Sequence, residues 1–552
     1  MLNRGEFIFS AVSAAAFPGF ATVAKQSSSN VPSYWCTWET QSRTAAGGGQ
    51  TSGDVAFAGD QGLSDGRDNL GEKALFDSKH GWARTQYPES RADLNLVLDD
   101  GWDVGFGLSP SKNCGKFGSM VLNEKRFPSF GGTPPERLRK LVAAAKDCGW
   151  RGLGLWVSAQ CPGESWGRRK AEDVWKEDLR RKIGWCGEAG VAYLKVDWGA
   201  HDGDVAYRRA FSEIAKELAP ETMIEHCCTL GVPINGAKTG SKDGKKILRM
   251  FSGRWEGDRR YLEKYAKRAA EIMQFSDSFR IYDMIDPIFH VQALERTQCL
   301  LRLAEKTGAS TYLNVEDVPY LGATLGQALG IMRAGNWVPQ NPDVVCRRHR
   351  VGEVARAVAW QRIAPPVRTD ASLPTIRSDA TLTDSWTCRR GDNWYRAADG
   401  MTVPQSAPAV TMRGIDKLAE VTDAGEGVPF VLAMRHPNGT LAVGALPRLS
   451  DGKGLFTPRA AVYVPAAIGV GSMIGVFGRH ASVAFDCMAK PGLFRVTACD
   501  LAGKVVHDLT AGCVLKNGRI VLPGKDLEKI GTEAIGDLSE PGALVKLERK
   551  NA

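Results

Sequence analysis

The chain has 552 residues, longer than a single hydrophobic core ordinarily grows, so two folded units are expected rather than one. With 43% hydrophobic residues, 24% charged residues and 61 glycines it has the composition of a turn-rich globular protein, which excludes extensive disorder. The net charge of +9 is dispersed rather than gathered into a stripe, which argues against a nucleic-acid partner and leaves an anionic partner as a weaker expectation.

The N-terminus runs from Met1-Leu-Asn-Arg4 through the apolar stretch Phe7–Phe20 to Ala24 and the polar Lys25-Gln-Ser-Ser-Ser29. One basic residue, an apolar centre and a small-residue exit predict a signal peptide over residues 1–24, and with it export to a periplasm or beyond. Glu6 and Pro18 interrupt the apolar centre, and a buried amphipathic segment is the alternative; a transmembrane helix is not expected, because the stretch falls short of the ~20 residues needed. The thirteen cysteines show no repeated spacing, so no zinc ribbon or disulfide scaffold is implied, and the adjacent Cys227-Cys228 is expected to be buried at a strand end.

From about residue 90 to 345 short apolar runs alternate with longer amphipathic ones, as in a parallel α/β protein. Strands are expected at Leu94–Leu98, Leu153–Val157, Ala192–Val196, Thr222–Glu225, Ser278–Tyr282 and Ser310–Leu313; helices at Pro135–Lys146, Glu172–Gly187, Tyr207–Leu218, Tyr261–Met273 and Gln292–Lys306. Tyr34–Trp38 as a first strand and a weakly marked one near Trp337 bring the strands to eight, the count of a (β/α)8 TIM barrel, and no Gly-x-Gly-x-x-Gly follows the first strand to suggest a dinucleotide fold. The Pro-rich stretch Ala364–Pro374 reads as a linker. After it come short strand-like runs, such as Val428–Met434 and Phe494–Ala498, punctuated by Asn-Gly turns. The expected organisation is a barrel over 30–364 and a C-terminal antiparallel, β-sandwich-like domain over 375–552.

Active sites of such barrels form at the C-terminal ends of the strands, and there this sequence places carboxylates: Asp99-Asp100-Gly-Trp102-Asp103, Lys195-Val-Asp197-Trp198, Glu225-His226, Arg280-Ile-Tyr-Asp283 and Asn314-Val-Glu316-Asp317. Carboxylates interleaved with tryptophans suit sugar chemistry, since hydroxyls need paired acceptors and the ring faces stack on indole. Lys195 and Asp197 share a strand face by the period of two, so the ammonium is expected to keep Asp197 ionised, as a nucleophile should be.

In this order the motifs resemble the clan of retaining glycoside hydrolases that contains the α-galactosidases and α-N-acetylgalactosaminidases, the melibiase-like enzymes. Trp35-Cys-Thr-Trp38-Glu39 resembles their first-strand Trp-x-x-Trp, Asp99-Asp100-Gly-Trp102 their sugar-gripping Asp-Asp-x-Trp, and Leu194-Lys195-Val-Asp197 the Leu-Lys-x-Asp that bears the nucleophile. Phe279–Asp283 and Asn314–Asp317 resemble the sixth- and seventh-strand segments, the latter with Val315 and Glu316 in place of Asp-Pro. The resemblance implies an exo-acting α-glycosidase that needs no cofactor or metal. Its partner would be an oligo- or polysaccharide with a terminal α-linked sugar, neutral or sulfated. Asp197 would be the nucleophile and Asp283 the acid/base, with Trp38, Asp99, Asp100, Trp102, Lys195, Glu225, Arg280 and Asp317 binding substrate. The family's acid/base lies four residues after the Arg, where this chain has Met284, so Asp283 takes the role by a one-residue shortening and Asp286 competes with it. The rivals are a carbohydrate-binding barrel without turnover, and a metal-dependent hydrolase using Asp99, Asp197, Glu225, His226 and Asp317.

Overall fold

The computed structural model describes residues 32–45, 67–104, 117–165, 167–228, 239–242, 245–248, 256–281, 289–335, 350–370, 372–387, 400, 402–422, 427–490 and 492–550. The expected signal peptide, Asp283, Asp286 and Trp337 lie outside the described residues.

Eight parallel strands close into a barrel: β1 (Tyr34–Cys36), β2 (Asn95–Leu98), β3 (Gly152–Val157), β4 (Tyr193–Val196), β5 (Met223–Cys227), β8 (Ser278–Arg280), β9 (Tyr312–Glu316) and β10 (Ala328–Ile331), each beside the next and β10 back against β1. Between β5 and β8 the chain adds an antiparallel hairpin, β6 (Thr239–Lys242) and β7 (Lys245–Leu248). The helices that cover the barrel carry their own stop and start signals. Pro134–Asp147 opens on a capping box between Thr133 and Glu136, Val205–Leu218 opens on Asp204, whose carboxylate accepts the Ala206 and Tyr207 amides, and Glu172–Ala189 ends at Gly190 with φ of 75°.

Two expected strands are corrected. The first ends at Cys36, because Thr37 begins a helix over Trp38–Ala45, its carbonyl accepting the Gln41 amide at 2.9 Å. The eighth is Ala328–Ile331, ahead of Trp337. It follows directly on a helix (Pro319–Leu325) that Gly326 stops with φ of 66°, so a stretch rich in Ala and Gly does strand duty. Gly330 is required there: a Cβ would lie 2.4 Å from Asn314 Oδ1 and 3.0 Å from the Tyr34 hydroxyl.

The C-terminal part holds an eight-stranded and a five-stranded sheet, packed around a core that includes Val431, Val443, Val464, Phe485, Val496 and Val545. Their pairing is mixed rather than purely antiparallel: Val410–Arg413 with Phe430–Arg435, Leu441–Leu446 with Met473–Phe477, and Ala461–Ile468 with Ser482–Cys487 run parallel. The third sheet, of six strands, takes in the β6–β7 hairpin through β7 against Thr402–Pro408. Barrel and module are not separate at their contact. Phe430, Leu432, Leu446, Phe477 and Leu544 of the module belong to the same continuous apolar core as the barrel, and the buried Arg356–Asp500 pair (2.9 Å) crosses between them. No described helix is long and apolar enough to cross a membrane.

Candidate active site

Residues two apart on a strand share a face, and the faces turned into the barrel carry the chemistry. The registers Trp156 with Lys195, Lys195 with Glu225, Cys227 with Arg280, and Gly330 with both Glu316 and Tyr34 bring Cys36, Asp99, Trp156, Lys195, Asp197, Glu225, Cys227, Arg280 and Glu316 to the C-terminal end of the barrel.

Arg280 is the hub. Its Nη2 lies 3.1 Å from Asp197 Oδ1, its Nε 3.2 Å from Glu225 Oε1 and its Nη1 3.3 Å from Glu316 Oε1. Lys195 is the second cation, 2.9 Å from Asp99 Oδ2 and 3.5 Å from Glu316 Oε1. The direct ion partner of Asp197 is therefore Arg280; Lys195 acts on it through space, as it takes Asp99 for its own partner. The Trp156 indole donates to Asp197 Oδ2 at 2.9 Å. Burial would push Asp197 up, but Arg280, Lys195 and this indole outweigh it and hold the carboxyl below its usual range. Glu225 goes the other way. Burial pushes it up to about 7 against the pull of Arg280, although the Tyr193 hydroxyl donates to its Oε2 at 2.7 Å. Burial would depress Lys195, yet Asp99 and its other neighbours keep it well above the ordinary lysine value and so charged.

Asp99 is fixed by its own backbone amide, which donates to Thr37 Oγ1 at 2.9 Å, and by the Cys36 thiol at 2.8 Å. Asp100 is paired with Arg67, and burial still pushes it up to about 6. Trp38 is half-buried against the Tyr34, Cys36, Val97 and Tyr193 cluster. Trp102 is fully buried in the main core with its indole committed to the Trp156 carbonyl at 2.8 Å; the tryptophan that touches Asp197 is Trp156, which packs with Phe117 and Trp198. His226 points out of the barrel, between Arg208 (3.2 Å) and Ser212 (2.8 Å). Asp317 also leaves the ring: its carboxylate accepts Arg333 Nε at 3.2 Å and the amides of Met332 and Arg333. Among the described residues no group of three or more His, Cys, Asp or Glu side chains is arranged to hold a metal ion.

Sequence reasoning brought forward Asp99, Lys195, Asp197, Glu225 and Arg280, which do converge. It passed over Trp156, Cys36, Cys227 and Tyr34, all reachable by stepping two residues along strands already identified, and it placed Asp317 where Glu316 stands. Arg67, from a segment without strand neighbours, had no such signal.

No family model matches the chain, and no curated protein matches it. Solved structures do. A Bacteroides fragilis protein provisionally named an α-galactosidase/melibiase is 10% identical, with 94% of this chain and 79% of that one covered and a TM-score of 0.36. An α-L-fucosidase from Lactobacillus casei is 11% identical over 35% of this chain and 65% of that one, at a TM-score of 0.22. The carboxyl transferase domain of Rhizobium etli pyruvate carboxylase is 14% identical over 60% of this chain, at 0.28, and the chain spans about half that structure's length (46%). At TM-scores this low the likenesses carry no argument; by its own strand order the chain is a closed (β/α)8 barrel joined to a C-terminal β module.

Proposed function

We propose that this chain is a retaining, exo-acting α-glycosidase of α-galactosidase-like type, exported by way of residues 1–24, with Asp197 as nucleophile and Asp283 as acid/base. The observation that carries the reading is Asp197 itself, an ionised carboxylate at the C-terminal end of β4, oriented by Arg280 and the Trp156 indole within a ring of hydroxyl-binding groups. Attack of one of its carboxylate oxygens on the anomeric carbon, as Asp283 protonates the departing oxygen, gives a glycosyl-aspartate ester; water activated by Asp283 then releases the sugar with its configuration retained. Asp99, with Lys195 behind it, and Asp100, with Arg67, are the acceptors for sugar hydroxyls, and Glu316 balances both cations. Even without Glu225, the carboxylates of Asp99, Asp197 and Glu316 outnumber Lys195 and Arg280, which favours an uncharged terminal sugar over a sulfated one.

The test is hydrolysis of a panel of α-linked aryl glycosides. Asp197→Ala is expected to lose at least about 10⁴-fold in kcat, while Asp283→Ala is expected to recover turnover with azide or a good leaving group; the same rescue in Asp286→Ala would move the acid/base role there. A wild-type protein that binds the sugars and turns none over would replace this reading with that of a carbohydrate-binding barrel.

A further inference from the structure

We propose that Glu540, in the C-terminal module, is a positioning residue for Glu316 in the barrel site, acting through an unbroken chain of alternating charge. The inference rests on the glycosidase reading for its kinetic consequence, not for its mechanics. The chain begins directly behind the site. Asp317 follows Glu316 and has φ of +50°, a left-handed conformation that Asp enters more readily than most residues with a Cβ and that its partners here hold in place. The main partner is Arg333, whose Nε takes Asp317 Oδ1 at 3.2 Å and whose Nη2 takes the Asp317 carbonyl at 2.6 Å. This turn fixes where β9 ends, and so where the Glu316 carboxylate meets Arg280, Lys195 and the Tyr34 hydroxyl.

The third nitrogen of that guanidinium, Nη1, reaches Glu353 Oε2 at 3.2 Å. Arg350 Nη1 then joins Glu353 Oε1 at 3.2 Å to Glu540 Oε1 at 3.3 Å, and Arg479 closes the module end at 2.9 Å from Glu540 Oε2. Every link as far as Glu540 is buried, and Glu540 is tied to the barrel by its backbone as well: its amide donates to Glu353 Oε1 at 3.2 Å and its carbonyl accepts the Tyr320 hydroxyl at 2.7 Å. Buried alternating charges admit few arrangements, because moving one link strands the next without its counter-ion. A displacement at Glu540 is thus passed on to the Asp317 turn.

The experiment compares Glu540→Gln with Asp500→Asn, which breaks another buried ion pair between barrel and module and is not itself a link of the chain. The first readout, hydrogen exchange of the Met332 and Arg333 amides that donate to Asp317, does not depend on activity. Glu540→Gln is expected to speed their exchange at least tenfold and Asp500→Asn by less than threefold, at comparable losses of Tm. The second readout is kinetic: Glu540→Gln is expected to lower kcat about tenfold with KM within threefold of wild type, and Asp500→Asn to leave both within threefold. Unchanged exchange in Glu540→Gln, equal exchange in the two variants, or faster exchange with unchanged kcat would each overturn the proposal. If the wild type turns over no glycoside, selective exchange still establishes the linkage and the catalytic reading alone falls. Should Glu540→Gln not fold, Arg350→Gln, which removes the cation that joins Glu353 to Glu540 and leaves Asp317 and the reporting amides untouched, is read in the same way.

Discussion

Asp197 and Glu225 share one guanidinium and are driven in opposite directions, and this has consequences for how the protein responds to pH. Both feel Arg280 and Lys195, but Asp197 adds an indole donor, whereas Glu225, with no exposed surface and with Glu316 as a like-charged neighbour, is left near 7. Because Glu225 binds its proton more tightly folded than unfolded, its contribution to stability is complete below about pH 4.5 and is lost as pH rises through 7. Burial pushes Asp100 and Asp103 up to about 6 with the same sign. Asp197 contributes above its unfolded value near 3.8 and loses that contribution as pH falls. These raised carboxyls together make stability decline between about pH 4 and 7, while His226, His436 and His480, which burial holds below the ordinary imidazole value, oppose that decline up to about pH 6.5. Thermal unfolding of Glu225→Gln, which stays neutral throughout, should remove a share of that decline of order 3 kcal/mol; an equally steep decline in the variant would show that Glu225 is ionised in the folded protein. Trp156→Phe removes one of the influences that lower Asp197, so the acid limb of the pH–rate profile should move up by about one unit. An unmoved limb would mean that Arg280 and Lys195 set the nucleophile without the indole.

At the scale of elements, the barrel was readable because its strands are short, apolar and regularly interrupted by capped helices, as in Thr133–Asp147 and Asp204–Leu218. The alternation inside each strand was readable too, which is why Lys195 and Asp197 could be placed on one face before any coordinates. Two things defeated it. Asn314-Val-Glu316-Asp317 reads equally well as strand or loop, and only the strand's length to Glu316 tells which acid turns inward. Ala328-Leu-Gly-Ile331 has a single β-branched residue and none of a barrel strand's bulk at 330, because Asn314, Tyr34 and Glu316 fill the space that a side chain there would need. Gly330→Ala is accordingly expected to cost about 1–3 kcal/mol in denaturant unfolding. It should also impair turnover, since the new methyl lies 3.1 Å from Glu316 Cγ.

For the whole molecule, length pointed to two units, but nothing in a linear pattern announces that one face of the module is continuous with the barrel's core while its own core lies beyond. That follows from where Phe430, Leu432, Phe477 and Leu544 end up, and from polar ties such as Arg413 Nη1 to the Leu325 carbonyl at 2.7 Å. Barrel and module should therefore unfold together, as a single transition in calorimetry, and a barrel ended near residue 364 should be insoluble; two separated transitions would contradict this. The hairpin carried between β5 and β8 adds a constraint in time. Its inner strand, β7, completes a sheet only by pairing Ile247 with Thr402, and at ordinary elongation rates Thr402 leaves the ribosome on the order of 10 s after Ile247. Throughout that interval the nascent chain displays an unpartnered sheet edge, at first beside a barrel whose last three strands are still to emerge, the kind of surface that chaperones bind and that pairs wrongly with a neighbouring chain. A silent change that slows translation between the two positions should then lower the yield of native protein without altering a single residue of it.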